Sequence, residues 1–202
     1  MNSHLDSHLT VIAGLGNPEA RYERTLHNAG FWFADAVARK AREQFRLDRK
    51  FDAEVCKVAL GGREIWIVKP QNYMNLSGGP VRAVLDYYRL APEALLLAHD
   101  EIDLPPGVAR LKKGGGHGGH NGIRDVMQHC GNDFMRLRLG VGHPGDKEKV
   151  TGYVLQRGPK EVEEAVEEAV ERAVDILPVL AERGLAVAMN QLHTRPASDN
   201  GD

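Results

Sequence analysis

The sequence predicts a single α/β domain, a sandwich of helices around a mixed β-sheet. Three observations predict it. Apolar, β-branched runs alternate along the chain with segments of helical periodicity. Gly61-Gly62 between two strand-like runs signals a hairpin, so the sheet holds an antiparallel pair beside its parallel strands. The length, 202 residues, fits one domain of roughly 150 residues with a small addition. The domain is expected over 1–193, with a frayed tail over 194–202.

Each element has its own signal. His8 to Ala13 is an apolar strand ending at Gly14-Leu15-Gly16. Thr25 can cap a helix running to about Phe45, with Phe31, Phe33, Ala34, Val37, Ala38 and Ala41 at helical spacing. Glu54 to Leu60 and Arg63 to Val68 form the hairpin. Gln71 to Gly79 is a loop, and Pro80 suits the first turn of a helix over Val81 to Leu90. Leu95 to Asp100 is a buried strand and Val108 to Lys112 a shorter one. The glycine-rich stretch Gly114 to Gly122 is a loop, and Asn121 opens a helix to Cys130. Phe134 to Val141 alternates as a strand. Val162, Ala165, Val166, Ala169, Val170 and Ala173 stripe a helix over Pro159 to Arg183, which Pro178 is expected to kink or divide.

Composition narrows the function classes. Hydrophobic residues are 42% and the net charge is only −2, which excludes disorder for the bulk of the chain. No apolar run approaches the roughly 20 residues of a membrane span. Met1 to Thr10 has no apolar signal core. Cys56 and Cys130 lie far apart with no CxxC pair, so a reducing cytoplasm is the expected setting. The small net charge hides an asymmetry. Lys160 to Asp175 holds seven acids against two bases, so the rest of the chain is net basic. The acidic run is expected to be one exposed helix face. The densest basic run is Arg110-Leu111-Lys112-Lys113, with Arg124, Arg136 and Arg138 following.

Several segments can carry chemistry. Gly14-Leu15-Gly16-Asn17-Pro18-Glu19 begins like a dinucleotide fingerprint, but Glu19 replaces the third glycine and would repel a pyrophosphate. Neither a P-loop nor a Gly-x-Ser-x-Gly elbow is present. His27 falls at a helix start, where the dipole disfavours imidazolium and leaves a neutral ring suited to a general base. A lone histidine is more often structural, and the assignment gains weight only if a carboxylate meets its other nitrogen. Asp100, at the C-terminal end of a buried strand, is the candidate. The bland reading of His99-Asp100-Glu101-Ile102-Asp103 is a polar turn. His117 and His120, three apart, leave open a zinc site completed by Asp100 or Asp103, although no HExxH pattern is present. Asn17, Asn75 and Asn121 each sit beside a turn residue in separate loops. Singly they read as turn residues; together they suit recognition of neutral amide or ester carbonyls.

Taken together the blocks resemble the bacterial-type peptidyl-tRNA hydrolase family. The likeness is carried by Gly14-Leu15-Gly16-Asn17-Pro18, Tyr22, Thr25 to Gly30, Lys69 to Gly78, His99 to Gly107, Gly114 to Asp125 and Arg136 to Gly140, in order along nearly the whole chain. The resemblance implies a monomeric three-layer α/β/α sandwich. It implies hydrolysis of the ester joining a peptide to the 3′ end of tRNA, freeing tRNA for reuse, with no metal and no other cofactor. By the same resemblance His27 is the catalytic base and Asp100 its partner. Asn17, Tyr22, Tyr73, Met74, Asn75 and Asn121 bind the substrate, and Arg110, Lys112 and Arg138 contact tRNA phosphates. Two departures stand out: Glu19 where the family usually has Gly, and Leu26 where it usually has Arg, which would remove a charge beside the base. A non-catalytic RNA-binding protein on the same fold is the rival reading.

Overall fold

A computed structural model describes residues 8–194. The remaining tail residues, 195–202, and the first seven residues of the N-terminal segment lie outside it. The strands are β1 (Val11–Gly14), β2 (Arg46–Asp48), β3 (Ala53–Leu60), β4 (Arg63–Pro70), β5 (Leu95–Glu101), β6 (Ala109–Lys113) and β7 (Met135–Gly140). The helices are α1 (Ala29–Ala41), α2 (Gly78–Tyr87), α3 (Asn121–Cys130), α4 (Val150–Val154), α5 (Lys160–Arg183) and α6 (Leu185–His193). All seven strands form one sheet in the order β2-β3-β4-β1-β5-β7-β6. The central strands β4, β1, β5 and β7 run parallel, whereas β2, β3 and β6 add antiparallel edges. The expected α/β sandwich with a mixed sheet is therefore what the chain forms.

The parallel strands are buried on both faces, which is why they read as unbroken apolar runs. Ile12, Ile67, Leu96 and Leu137 meet Phe33, Val37, Val166, Val170 and Leu177 on one face. Val11, Ala13, Leu95 and Leu97 meet Val81, Val84, Leu85, Ile123 and Val126 on the other. Successive residues of β1 and β5 thus serve opposite layers.

Several expectations need correction. The first helix ends at Ala41, where Arg42 turns left-handed at φ 58°, and β2 follows. Arg42-Glu43-Gln44 holds neither Gly nor Pro, so the sequence carried no stop signal. Pro178 neither ends nor divides α5. It lies on the exposed side, where an unpaired carbonyl can be hydrated, while Ile176, Leu177, Leu180 and Ala181 stay packed. The acidic run is only partly a solvated face. Glu163 is 5% exposed and bonds Arg24 and Arg157, while Glu167, Glu171 and Asp175 pair with Arg24, Arg39 and Lys40.

Close approach of α1 to the sheet places its N-terminal end over β5. A Cβ on Gly30 would lie 2.4 Å from the Ala98 carbonyl oxygen and 2.5 Å from the Leu15 nitrogen, all backbone that cannot yield cheaply. Gly30→Ala is expected to cost about 1–3 kcal/mol, lowering the thermal midpoint by roughly 2–12 °C in a chain of this size. Differential scanning calorimetry checks it, and an unchanged midpoint would show that the helix can lift without penalty.

Candidate active site

Asp100 is the hub. It sits one residue before the end of β5 and is 3% exposed. Its two carboxylate oxygens each lie 3.0 Å from Nδ1 of His27, and Oδ1 also lies 2.7 Å from Nε2 of His120. His27 comes from the short 3-10 turn Leu26–Asn28 that leads into α1. His120 closes the glycine-rich loop and caps α3.

The hydrogen bonds assign the protons. The backbone N–H groups of Gly122 and Ile123 both donate to Nδ1 of His120, so that nitrogen carries a lone pair and Nε2 carries the hydrogen given to Asp100. A carboxylate can only accept, so Nδ1–H of His27 donates to it as well. That leaves Nε2 of His27 with a lone pair. Burial opposes protonation of His27, but the charge of Asp100 and its hydrogen bond outweigh burial and raise the His27 pKa above its ordinary value. Asp100 responds in the opposite sense. Although burial favours its neutral form, His27 and His120 hold the carboxyl well below the usual carboxylate range. A lone-pair imidazole nitrogen braced by a fixed carboxylate can take a proton from water and return it to a leaving group.

The zinc alternative changes shape here. His117 is not in the cluster, because its Nδ1 accepts from the Gly119 N–H, and Asp103 lies exposed in the following turn. The potential donors brought together among the described residues are His27, Asp100 and His120, within 4.8 Å of one another. An ion bound there would have to displace both imidazole N–H bonds to Asp100. The polar-turn reading of residues 99–103 holds only for Ile102 and Asp103, since His99 and Asp100 are buried within β5.

The asparagines divide. Asn17 is buried and held from two sides. Asn28 grips its backbone, accepting from the Asn17 N–H at 2.9 Å and donating to the Asn17 carbonyl at 3.0 Å. The Asn17 Oδ1 accepts from the Met74 N–H at 2.7 Å, so its Nδ2 is the group on offer. Met74 packs against Gly122, where a Cβ would lie 2.5 Å from its sulfur, and so joins this loop to α3. Asn75 and Asn121 are exposed, and Asn121 is the first residue of α3 rather than its cap. Tyr73 is exposed and donates its hydroxyl to Glu19, which Arg21 pairs at 2.9 Å. Tyr22 lies under the Arg21 guanidinium, and its carbonyl takes the Thr25 hydroxyl; these contacts do not join it to His27 or Asp100. Leu26 is fully buried against Gly158, so its side chain lies in the core.

The cations form two cross-strand rows. Arg110 faces Arg138, and Lys112 faces Arg136, across β6 and β7. Like charges set opposite each other destabilise a sheet. Burial and the charges of Arg136 and Arg138 lower the Lys112 pKa. A cavity of about 1110 Å³ borders Asn17, Asn28, Trp32 and Lys69 but is lined by neither His27 nor Asp100. The hydrogen-bonded cluster, not this void, is therefore the candidate site. Sequence reasoning had no role for Asn28 and knew His120 only as a metal ligand; accounting for who holds Asn17 and who caps α3 would have found both.

An α/β domain with a carboxylate-braced imidazole beyond the C-terminal end of a central parallel strand is the architecture of an acid–base enzyme. The peptidyl-tRNA hydrolase family model matches residues 11–200. The chain is 47% identical over 187 residues to the peptidyl-tRNA hydrolase of Marinobacter nauticus, covering 92% of this chain and 95% of that one. It is 48% identical over 189 residues to that of Azotobacter vinelandii, covering 93% and 97%. The crystal structure of peptidyl-tRNA hydrolase from Acinetobacter baumannii superposes with a TM-score of 0.89 at 43% identity, over 96% of this chain and 98% of that one. The chain belongs to the peptidyl-tRNA hydrolase family.

Proposed function

We propose that this chain hydrolyses the ester between a peptide and the 3′ end of tRNA with His27 as general base. The observation that carries the reading is the His27–Asp100–His120 cluster, which leaves Nε2 of His27 as the one ring nitrogen of His27 and His120 free to meet water. Nε2 takes a proton from water as its oxygen attacks the ester carbonyl. Asp100 stabilises the imidazolium so formed. Collapse of the tetrahedral intermediate breaks the bond to the ribose oxygen, which leaves with the proton that His27 returns. The products are tRNA and the peptide acid, which ionises in water. Asn17, Asn75 and Asn121 read the peptide amides beside Tyr22, Tyr73 and Met74. A protein acting as a monomer in a reducing cytoplasm suits two free cysteines, both buried, whose thiols burial pushes up to about 11. Among the described residues no helix is long and apolar enough to cross a membrane.

The deciding experiment incubates the pure protein with N-acetyl-aminoacyl-tRNA in EDTA and follows release of the acyl group. Release at full rate is expected. Binding without release would favour the RNA-binding rival, and loss in EDTA restored by zinc would favour a metal on the same three residues.

Arg110, Lys112 and Arg138 supply the tRNA phosphate contacts in this reading. The repulsion across β6 and β7 is relieved when a phosphate lies over the rows. Lys112→Ala is expected to raise KM several-fold with little change in kcat. It should also lower the slope of log KM against log salt by roughly 0.7–0.9 per lost contact. Kinetics at several salt concentrations check it, and an unchanged slope would remove Lys112 from the phosphate path.

A further inference from the structure

We propose that Arg136 is a positioning residue for this reaction, a buried guanidinium that shapes the glycine-rich loop so that His120 meets Asp100. Arg136 is 3% exposed, and no ion pair is formed by it among the described residues. Glu101, which Arg138 meets at 3.8 Å, supplies only a more distant opposing charge, and a buried cation without a directly bonded counter-ion is costly, so its partners show what it is used for. Nη1 donates to the carbonyls of Gly114 at 3.3 Å and Gly116 at 2.8 Å, and Nε donates to Nε2 of His99 at 3.2 Å. One side chain therefore holds the loop from within and a strand residue from the side.

Both holds lead to Asp100. Along the loop, Gly114 at φ +65° and Gly115 at φ +92° take a left-handed path open to glycine, and the two anchored carbonyls, of Gly114 and Gly116, lie at its start and just past its end. Beyond it the loop's bonds among the described residues are local, Gly119 N–H to His117 Nδ1 and His120 N–H to the His117 carbonyl, before His120 reaches the carboxylate. Along the strand, Nε2 of His99 accepts from Arg136, so Nδ1 is protonated and donates to the backbone carbonyl of Asp100 at 2.8 Å. Burial and the neighbouring guanidinium of Arg136 keep His99 neutral, as this pattern requires. Arg136 thus fixes the backbone of Asp100 through His99 and the side-chain partner of Asp100 through the loop. The competing assignment is a phosphate contact, because Lys112 stands opposite Arg136 on β6.

Kinetics separate the two. The proposal rests on His27 and Asp100 as the reacting pair, so His27→Ala serves as the control: if that variant keeps wild-type turnover, the mechanism fails, whatever Arg136 does. With His27 required, Arg136→Gln is expected to lower kcat by about 10- to 100-fold through misplaced groups. KM and its salt slope should stay within about two-fold of wild type. The downfield imidazole N–H proton resonance of His120 should shift or vanish while tRNA binding persists. Arg136→Lys keeps the charge but not the planar fork, and its kcat should fall between the two. If Arg136→Gln does not fold, the lysine variant decides alone: lowered kcat at unchanged KM supports the proposal. Wild-type kcat with an unmoved His120 resonance overturns it, as does a raised KM with a flattened salt slope at wild-type kcat.

Discussion

Replacing His27 with alanine is expected to lower kcat for peptidyl-tRNA by about 10²–10⁴-fold, the usual cost of losing a positioned general base. KM should change little, because the imidazole nitrogen that faces water holds neither the peptide amides nor the tRNA phosphates. The fold should survive. The His27 side chain is only 13% exposed, yet Asp100 keeps its hydrogen bond from His120, so the carboxylate is not left unpaired in the interior. Single-turnover release of the acyl group, with circular dichroism to check folding, makes the measurement. A folded variant turning over near the wild-type rate would remove His27 from the chemistry.

Asp100→Asn should be nearly as damaging and should leave a signature that no packing defect mimics. An amide can present its NH₂ to Nδ1 of His27, forcing that nitrogen to accept and placing the ring proton on Nε2, the atom that must be bare. The expected loss is again about 10²–10⁴-fold in kcat. In the wild type the base works only when neutral, and Asp100 raises its pKa against burial. The acid limb of kcat/KM should therefore lie above the ordinary histidine value of about 6.5. Without the carboxylate only burial remains, so the limb should move below that value. A pH profile from 5 to 9 checks it, and a limb that stays in place would mean that another group titrates. Stability follows the same signs. The raised His27 contributes stability below its unfolded pKa that is lost as pH rises through the folded value. The lowered Asp100 contributes stability above its unfolded pKa that is lost in strong acid.

How much of this was legible depended on the range of the interaction. Local signals, Asn121 for α3 and Gly61-Gly62 for the hairpin of β3 and β4, placed these elements within a residue or two, because neighbouring residues alone set them. β2, α4 and α6 were missed. All three are short and held by other elements: β2 pairs with β3, Tyr153 of α4 donates to the Val141 carbonyl, and α6 ends with His193 accepting from the Leu111 N–H. The dyad was legible because a buried-strand aspartate and a helix-start histidine are each unusual, and the resemblance joined them. Their third partner was not. From sequence His120 reads only as a possible metal ligand, until the N–H groups at the start of α3 are counted and Asn121, inside the helix, leaves them to the His120 ring. The acidic stretch misled for the same reason, since Glu163 is buried by Arg24 and Arg157, whose positions along the chain do not announce the contact.

The pleat of β5 has a consequence for how this gene can change. His99 and Asp100 are neighbours whose side chains leave the strand on opposite sides, one toward Arg136 and the other toward His27. Losing or gaining a single codon upstream within that strand would exchange the two at one stroke. Length variation among descendants of this sequence should therefore gather in the surface turns and be purged from these seven residues, however conservative the substitutions they otherwise tolerate.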